Sequence, residues 1–338
     1  MKVTTCILLF LLVFTSIYSQ SFDLKSPTQQ YDYVVITKTS FAPLFDDFVS
    51  HKENVKSLTC TVVGVDQIYS EFPDLKYHKN SIREFISFAG KNWPEPQPKY
   101  FFIAGDVDAI PNFEVLGVRE TDTAYTDYYY SVDIDSDDDT NIDYYVGRIS
   151  ARTSVELTNY LSKVISYEST PLSDWNSNIM IATQDNEGTN DLFDQASKEF
   201  AASLFEYLKP EVFHSPSNYN AFELQNSIIN GINIKGYSSV FVWGLQSTNE
   251  QFGDPLVLDK EVIANINTSY YPFVSFLGPQ KYSGQLSSSM LDDLLFNPQG
   301  AIGGYNVLAP NYVGLMEAFY TDYVQFLYSG TGNSIAVA

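Results

Sequence analysis

The sequence predicts an α/β protein built as two lobes of mostly parallel sheet flanked by helices, and three observations carry that prediction. Apolar, strand-like runs alternate with amphipathic helical stretches from about residue 31 to the end, which is the rhythm of parallel strands joined by helical crossovers. The 338 residues leave room for two domains or one large two-lobed domain. The segment STPLSDWNS (169–177), with its proline and helix-stopping polar residues, interrupts the rhythm midway.

In chain order, YDYVVIT (31–37), LTCTVVGV (58–65) and KYFFIAGD (99–106) read as the strands of the first lobe, with helices at 42–53, 80–92 and 153–168. The second lobe repeats the pattern. NIMIAT (178–183), SSVFVWG (238–244), YPFVSFLG (271–278) and AIGGY (301–305) read as strands, and 190–208, 220–231, 286–296 and 313–328 as helices. No fixed-period repeat is present. The 25 tyrosines and 24 phenylalanines suit aromatic-rich strands and a surface carrying phenol rings. Ligands of open parallel sheets gather beyond the carboxyl ends of the strands, and Gly244 and Gly278 both stand at such ends.

The first residues, MKVTTCILLFLLVFTSIYSQ, place one early cation, Lys2, before an apolar run from Cys6 to Phe14 and then small or polar residues. This is the pattern of a secretory signal peptide over residues 1–19, too short in its apolar part to span a bilayer, so the expectation is a secreted protein with no membrane span. The remainder divides into an amino-terminal lobe (20–170) and a carboxy-terminal lobe (171–338). Formal net charge is −22, from 19 Lys and Arg against 41 Asp and Glu, and loss of residues 1–19 makes it one unit more negative. Such a chain repels nucleic acid and anionic lipid. Cys6 leaves with the signal, so Cys60 remains alone and no internal disulfide is expected; its β-branched surroundings read as a strand, where a buried structural thiol is the expectation.

Several segments, in order, resemble the gingipain-type cysteine peptidase domain. They are FFIAGDVDAIPNF (101–113), TDYYY (126–130), VGRISARTSVELTNYLSKVISYE (146–168), SSVFVWGLQS (238–247), YPFVSFLGPQ (271–280) and FNPQGAIGGYN (296–306). The resemblance covers roughly residues 31–336. It implies the caspase-like arrangement, in which a cysteine and a histidine sit at adjacent strand ends. The thiolate attacks, the imidazole helps to form it and protonates the leaving amine, and backbone N–H groups hold the oxyanion.

The resemblance breaks at the two reactive positions. Where the family reads GHGS, this chain reads Gly244, Leu245, Gln246, Ser247, with leucine in the histidine's place. At the cysteine-bearing strand end it reads Leu277, Gly278, Pro279, Gln280, which puts Pro279, or Gln280 with a one-residue slip, at the nucleophile. Leucine cannot move a proton, and proline lacks both a nucleophile and the backbone N–H that the family's cysteine lends to the oxyanion hole. The implied function is therefore a secreted pseudopeptidase that binds a peptide or protein, with Gly244, Gln246, Gly278 and Asp127 as the binding positions. The competing reading is an active cysteine-type endopeptidase rebuilt from other side chains, with Cys60 as its thiol. His51, His78 and His214 read as surface or loop residues, and no base is visible near Ser247, Ser275 or Ser283.

The acidic run SVDIDSDDDTNID (131–143) alternates Asp133, Asp135, Asp137 and Asp139. It lacks the EF-hand glycine and terminal glutamate, which here are Asp138 and Tyr144. The resemblance implies structural calcium at these four aspartates; the residues alone are equally a solvated acidic turn. Asp106 and Asp108 could join such a site or cap their turn, and the turn is the expectation for both. A third reading of the whole chain is a calcium-stabilised extracellular adhesion module. Asp127 is a peptide-contacting acid by resemblance and a surface hydrogen-bonding residue by its own sequence. Asn267, Thr268 and Ser269 form one N-glycosylation sequon.

Overall fold

A computed structural model describes residues 23–74, 76–116, 123–135, 142–184, 192–215, 221–243, 258, 260–277 and 290–306. Residues 1–19 and the helix expected at 313–328 lie outside them. In the first half the elements are β1 (Tyr33–Thr37), α1 (Asp46–Lys56), β2 (Cys60–Gly64), α2 (Val65–Glu71), α3 (His78–Asn92), β3 (Tyr100–Ala104), β4 (Phe113–Leu116), β5 (Thr123–Thr126), α4 (Tyr128–Ser131), β6 (Tyr145–Ile149) and α5 (Ser154–Ser169). The second half adds β7 (Asn178–Gln184), α6 (Leu192–Ser203), β8 (Lys209–Ser215), α7 (Ala221–Asn230), β9 (Ser239–Trp243), α8 (Lys260–Ala264), β10 (Phe273–Leu277), α9 (Met290–Phe296) and β11 (Gly303–Asn306).

Two parallel sheets result. One runs β2-β1-β3-β6, the other β11-β10-β9-β7-β8, and β4 with β5 forms a separate antiparallel ribbon. β1 shows why these runs become central strands. All five residues of YVVIT are buried; Val35 faces the same core as Phe102 and Tyr160, while Val34 and Ile36 face Phe85, Phe101 and Ile103. A strand covered on both faces needs apolar side chains at every position, and each fully buried Val, Ile or Phe contributes about 1.5–3 kcal/mol.

α5 joins the sheets. It starts on a complete capping box, in which the Thr153 hydroxyl accepts from the Glu156 N–H and the Glu156 carboxylate accepts from the Thr153 N–H. Its inward side carries Leu157, Tyr160, Leu161 and Val164 into one core that also contains Val35 and Phe102 from the first sheet, and Met180, Val240 and Val274 from the second. Two polar side chains cross the joint. The Tyr160 hydroxyl donates to Ile302 O at 2.9 Å, and the buried Lys163 ammonium donates to Leu295 O at 2.6 Å and Asn297 O at 2.9 Å, capping the carboxyl end of α9.

Several boundaries differ from the sequence expectation. The helix expected at 42 begins at Asp46, because Thr39–Phe45, with Pro43 inside, winds as a tighter 3-10 turn. β8 was not anticipated. It is an edge strand that pairs with β7 alone, so it is only partly buried and tolerates Pro210 at a position a central strand would refuse.

Candidate functional site

β9 and β10 lie side by side in register, with Trp243 opposite Leu277, and β7 brings Thr183 opposite Trp243 on the other side. All these strands are parallel, so their carboxyl ends open toward one edge of the sheet. The next residues in the chain are the sequence-derived binding and degenerate catalytic positions, Gly244, Leu245 and Gln246 after β9 and Gly278 and Pro279 after β10. All five lie outside the described residues.

The described last two residues of the second-sheet strands are Thr183 and Gln184, His214 and Ser215, Val242 and Trp243, Phe276 and Leu277, and Tyr305 and Asn306. They bring one imidazole to this edge, and neither thiol nor carboxylate. His214 is held by its neighbour strand: its Nδ1 and Thr183 Oγ1 are 2.9 Å apart. Trp243 packs on Phe200 of α6, with ring centroids 5.4 Å apart. Ser215 Oγ is buried without a hydrogen-bond partner among the described residues.

The other histidines and the cysteine stand elsewhere. His51 is not a surface residue. It is 7% exposed on α1, and its Nε2 lies 3.0 Å from Glu168 Oε2, while Lys52 Nζ lies 2.6 Å from Glu168 Oε1. One carboxylate thereby serves two buried nitrogens, which makes it a tie between α1 and α5. His78 is not in a loop; it opens α3 and stacks on Tyr69 at 4.0 Å. His214, read from sequence as a loop residue, belongs to β8. Cys60 begins β2, buried as expected, and burial pushes its thiol up to about 12 although Lys52 acts the other way. A thiol so placed stays protonated and unreactive at neutral pH.

Asp127 is fully engaged inside the molecule. Arg148 of β6 grips it in a two-pronged pair, Nε to Oδ2 at 2.6 Å and Nη2 to Oδ1 at 2.8 Å, and its remaining Nη1 donates to Gly105 O and Ile110 O at 3.0 and 2.9 Å. Burial works against the Arg148 charge, and Asp127 more than offsets it. This cluster fixes the turn after β3. There Ala109 and Ile110 donate to Asp106 O, and Gly105 adopts φ +156°, a conformation L side chains rarely take. The turn is closed on the Asp106 backbone oxygen, and the Asp106 carboxylate lies 3.8 Å from Arg152 Nε. Arg148 was missed by sequence reasoning, since its partner lies 21 residues away and no local pattern links them.

Asp133 and Asp135 are described; Asp137 and Asp139 lie outside the described residues. Asp133 is buried, and its carboxylate accepts from Lys91 Nζ (2.6 Å), Ser87 Oγ (3.0 Å), the Asp135 N–H (3.0 Å) and the Tyr144 hydroxyl (3.2 Å). Burial alone would raise its pKa, but these donors outweigh burial and hold it below the usual carboxylate range. Asp135 takes the same ammonium at 2.8 Å. Among the described residues no three His, Cys, Asp or Glu side chains come together as a metal site. The signal missed in the sequence is the four-residue spacing of Lys79, Arg83, Ser87 and Lys91, which sets them along one side of α3.

No helix among the described residues is long and apolar enough to cross a membrane. No curated protein matches the sequence. Among solved structures the chain is similar to gingipain R (RgpB), described as an Arg-specific cysteine proteinase, with TM-score 0.64 and 15% identity over 88% of this chain and 68% of that one. The complex of the Porphyromonas gingivalis RgpB pro- and mature domains gives TM-score 0.63 and 15% identity over 86% and 68%. At this identity the likeness establishes the fold, which is gingipain-like. The sequence also matches the model of peptidase family C25 over residues 26–337, and the chain belongs to that family.

Proposed function

We propose that this chain is a secreted member of its family that has lost peptidase chemistry and binds a peptide or protein in the crevice beyond the carboxyl ends of β9 and β10. One observation carries the reading. The positions that the resemblance assigns to the histidine and the cysteine hold Leu245 and Pro279, each two residues beyond strand ends that lie side by side. The described residues offer no replacement pair: Cys60 is buried and protonated, His51 is tied to Glu168, and His214 is held by Thr183. Losing both nucleophile and base removes many orders of magnitude in rate.

The binding positions in this reading are Gly244, Gln246 and Gly278. Asp127 contributes through the turn it fixes, because a cationic peptide side chain would first have to displace Arg148. The test is incubation of the purified chain lacking residues 1–19 with a diverse peptide library, scored for cleavage and for retained peptides. Retention without cleavage is expected, and Gly278→Trp abolishes retention by filling the crevice. Cleavage that a thiol-alkylating reagent stops would overturn the proposal. Leu245→His with Pro279→Cys restores the reactive pair in composition, and weak or no turnover is expected from it, since a nucleophile and base need supporting groups to hold their geometry.

A further inference from the structure

The described entry of the acidic segment, residues 131–135, is joined to α3 by polar contacts at Asp133 and Asp135. Asp143 and Tyr144 donate their N–H groups to Ser131 O, and Asp143 Oδ2 accepts the Asp133 N–H at 2.9 Å, so the entry and exit of the segment are bound side by side. α3 reads this base with its side chains. Arg83 Nη2 donates to Asp133 O at 3.2 Å, Ser87 and Lys91 reach the Asp133 carboxylate, and Gly90 leaves the space that the Tyr144 ring fills. A Cβ on residue 90 would stand 2.2 Å from that ring.

We propose that Lys91 is the resident cation of Asp133 and Asp135: its ammonium, rather than a bound divalent ion, neutralises these two carboxylates and pins residues 131–135 to α3. The donors' placement supports this. Three of them, the Lys91 ammonium, the Ser87 hydroxyl and the Asp135 N–H, converge on Asp133 Oδ1, and the Tyr144 hydroxyl reaches Oδ2. Calcium takes roughly six to eight oxygens, and to use Oδ1 it would have to displace an ammonium, a hydroxyl and a backbone N–H. A lysine is covalently part of the fold, so its presence at the site does not depend on the concentration of a free ion.

The test compares thermal unfolding of the full chain in millimolar calcium and in excess chelator. The two melting temperatures of the wild type are expected to agree within about 1 °C, while Lys91→Met melts about 5 °C lower in chelator because Asp133 stays buried without its counter-charge. Lys91→Arg restores most of that loss. A calcium-dependent rise in the wild type that Asp135→Asn abolishes would overturn the proposal, as would a Lys91→Met variant that melts with the wild type in chelator. Terbium titration of the wild type keeps the question open to test even where Lys91→Met does not fold. Tyr144 would sensitise an ion held at Asp133, so emission unchanged by Asp135→Asn is expected, and a tenfold or greater loss of terbium affinity in that variant would count against the lysine.

Discussion

The carboxyl ends of the two sheets differ in what they are made of. Beyond β3 and β6 the first sheet ends in charge: Arg148 binds Asp127 and two carbonyls, and Asp106 lies 3.8 Å from Arg152. Among the described residues, the strands of the second sheet end in Trp243, Leu277 and Phe276 at β9 and β10, and β8 contributes the imidazole of His214. Catalytic clefts usually show the opposite economy, with reactive charges left under-coordinated where the substrate arrives. Here the well-coordinated charges hold turns together, and the described strand ends of the second sheet carry no charged pair. Among the described residues, these charges serve architecture.

The largest effect is expected where that architecture is densest. Arg148→Met leaves Asp127 without its two-pronged partner and two carbonyls without a donor, at a cost of about 3 kcal/mol. Denaturant unfolding monitored by tyrosine fluorescence would read this as a lower midpoint. A variant within a few tenths of a kcal/mol of wild type would show that the polar end of the first sheet is decoration and erase the contrast with the second.

At the joint between the sheets, Lys163 gives an intermediate effect with a definite pH signature. Burial lowers its pKa to about 7, against an unfolded value near 10.4. Between those values the unfolded chain binds the proton and the folded chain does not, so the unfolded state holds more protons and this contribution to stability rises with pH across about 7 to 10.4. Below about pH 7 both states are protonated and the full cost of the buried charge is present. Lys163→Met removes that rise while exposing Leu295 O and Asn297 O to loss of their donor, about 1–3 kcal/mol. Stability measured in steps from pH 6 to 10 should therefore show a flatter profile for the variant than for wild type. Parallel profiles would mean that the ammonium stays charged in the folded state and that the joint is as polar as the first sheet's end.

How much of this was legible in the sequence follows from burial. β1, β3, β7 and β9 were readable because strands covered on both faces demand unbroken apolar runs, as YVVIT and SVFVW show. β8 was not, because an edge strand admits Pro210, Glu211 and His214, which read as loop. The polar ties were less legible still. Asp127 with Arg148 and His51 with Glu168 are separated by 21 and 117 residues, and only the folded topology brings them together. The same limit explains why His51 reads as a surface residue although it is buried against Glu168, whereas His78 is exposed as expected: sequence shows a polar side chain, and burial with a partner is a property of the neighbour. The departures at Leu245 and Pro279 needed no geometry, since a missing functional group is visible in the letters themselves.

The smallest effect is expected at the second sheet's edge. His214→Ala removes the partner of the fully buried Thr183 hydroxyl at an edge strand, where water can reach part of the vacated space, so the expected cost is about 1 kcal/mol. Peptide retention should be unchanged, because the binding crevice is assigned to the ends of β9 and β10, and β8 is separated from β9 by β7. Parallel measurement of stability and of peptide binding separates the two roles. If retention fell tenfold while stability barely moved, the imidazole would be part of the binding surface, and the second sheet's edge would carry a polar function that its neighbours Trp243 and Leu277 do not announce.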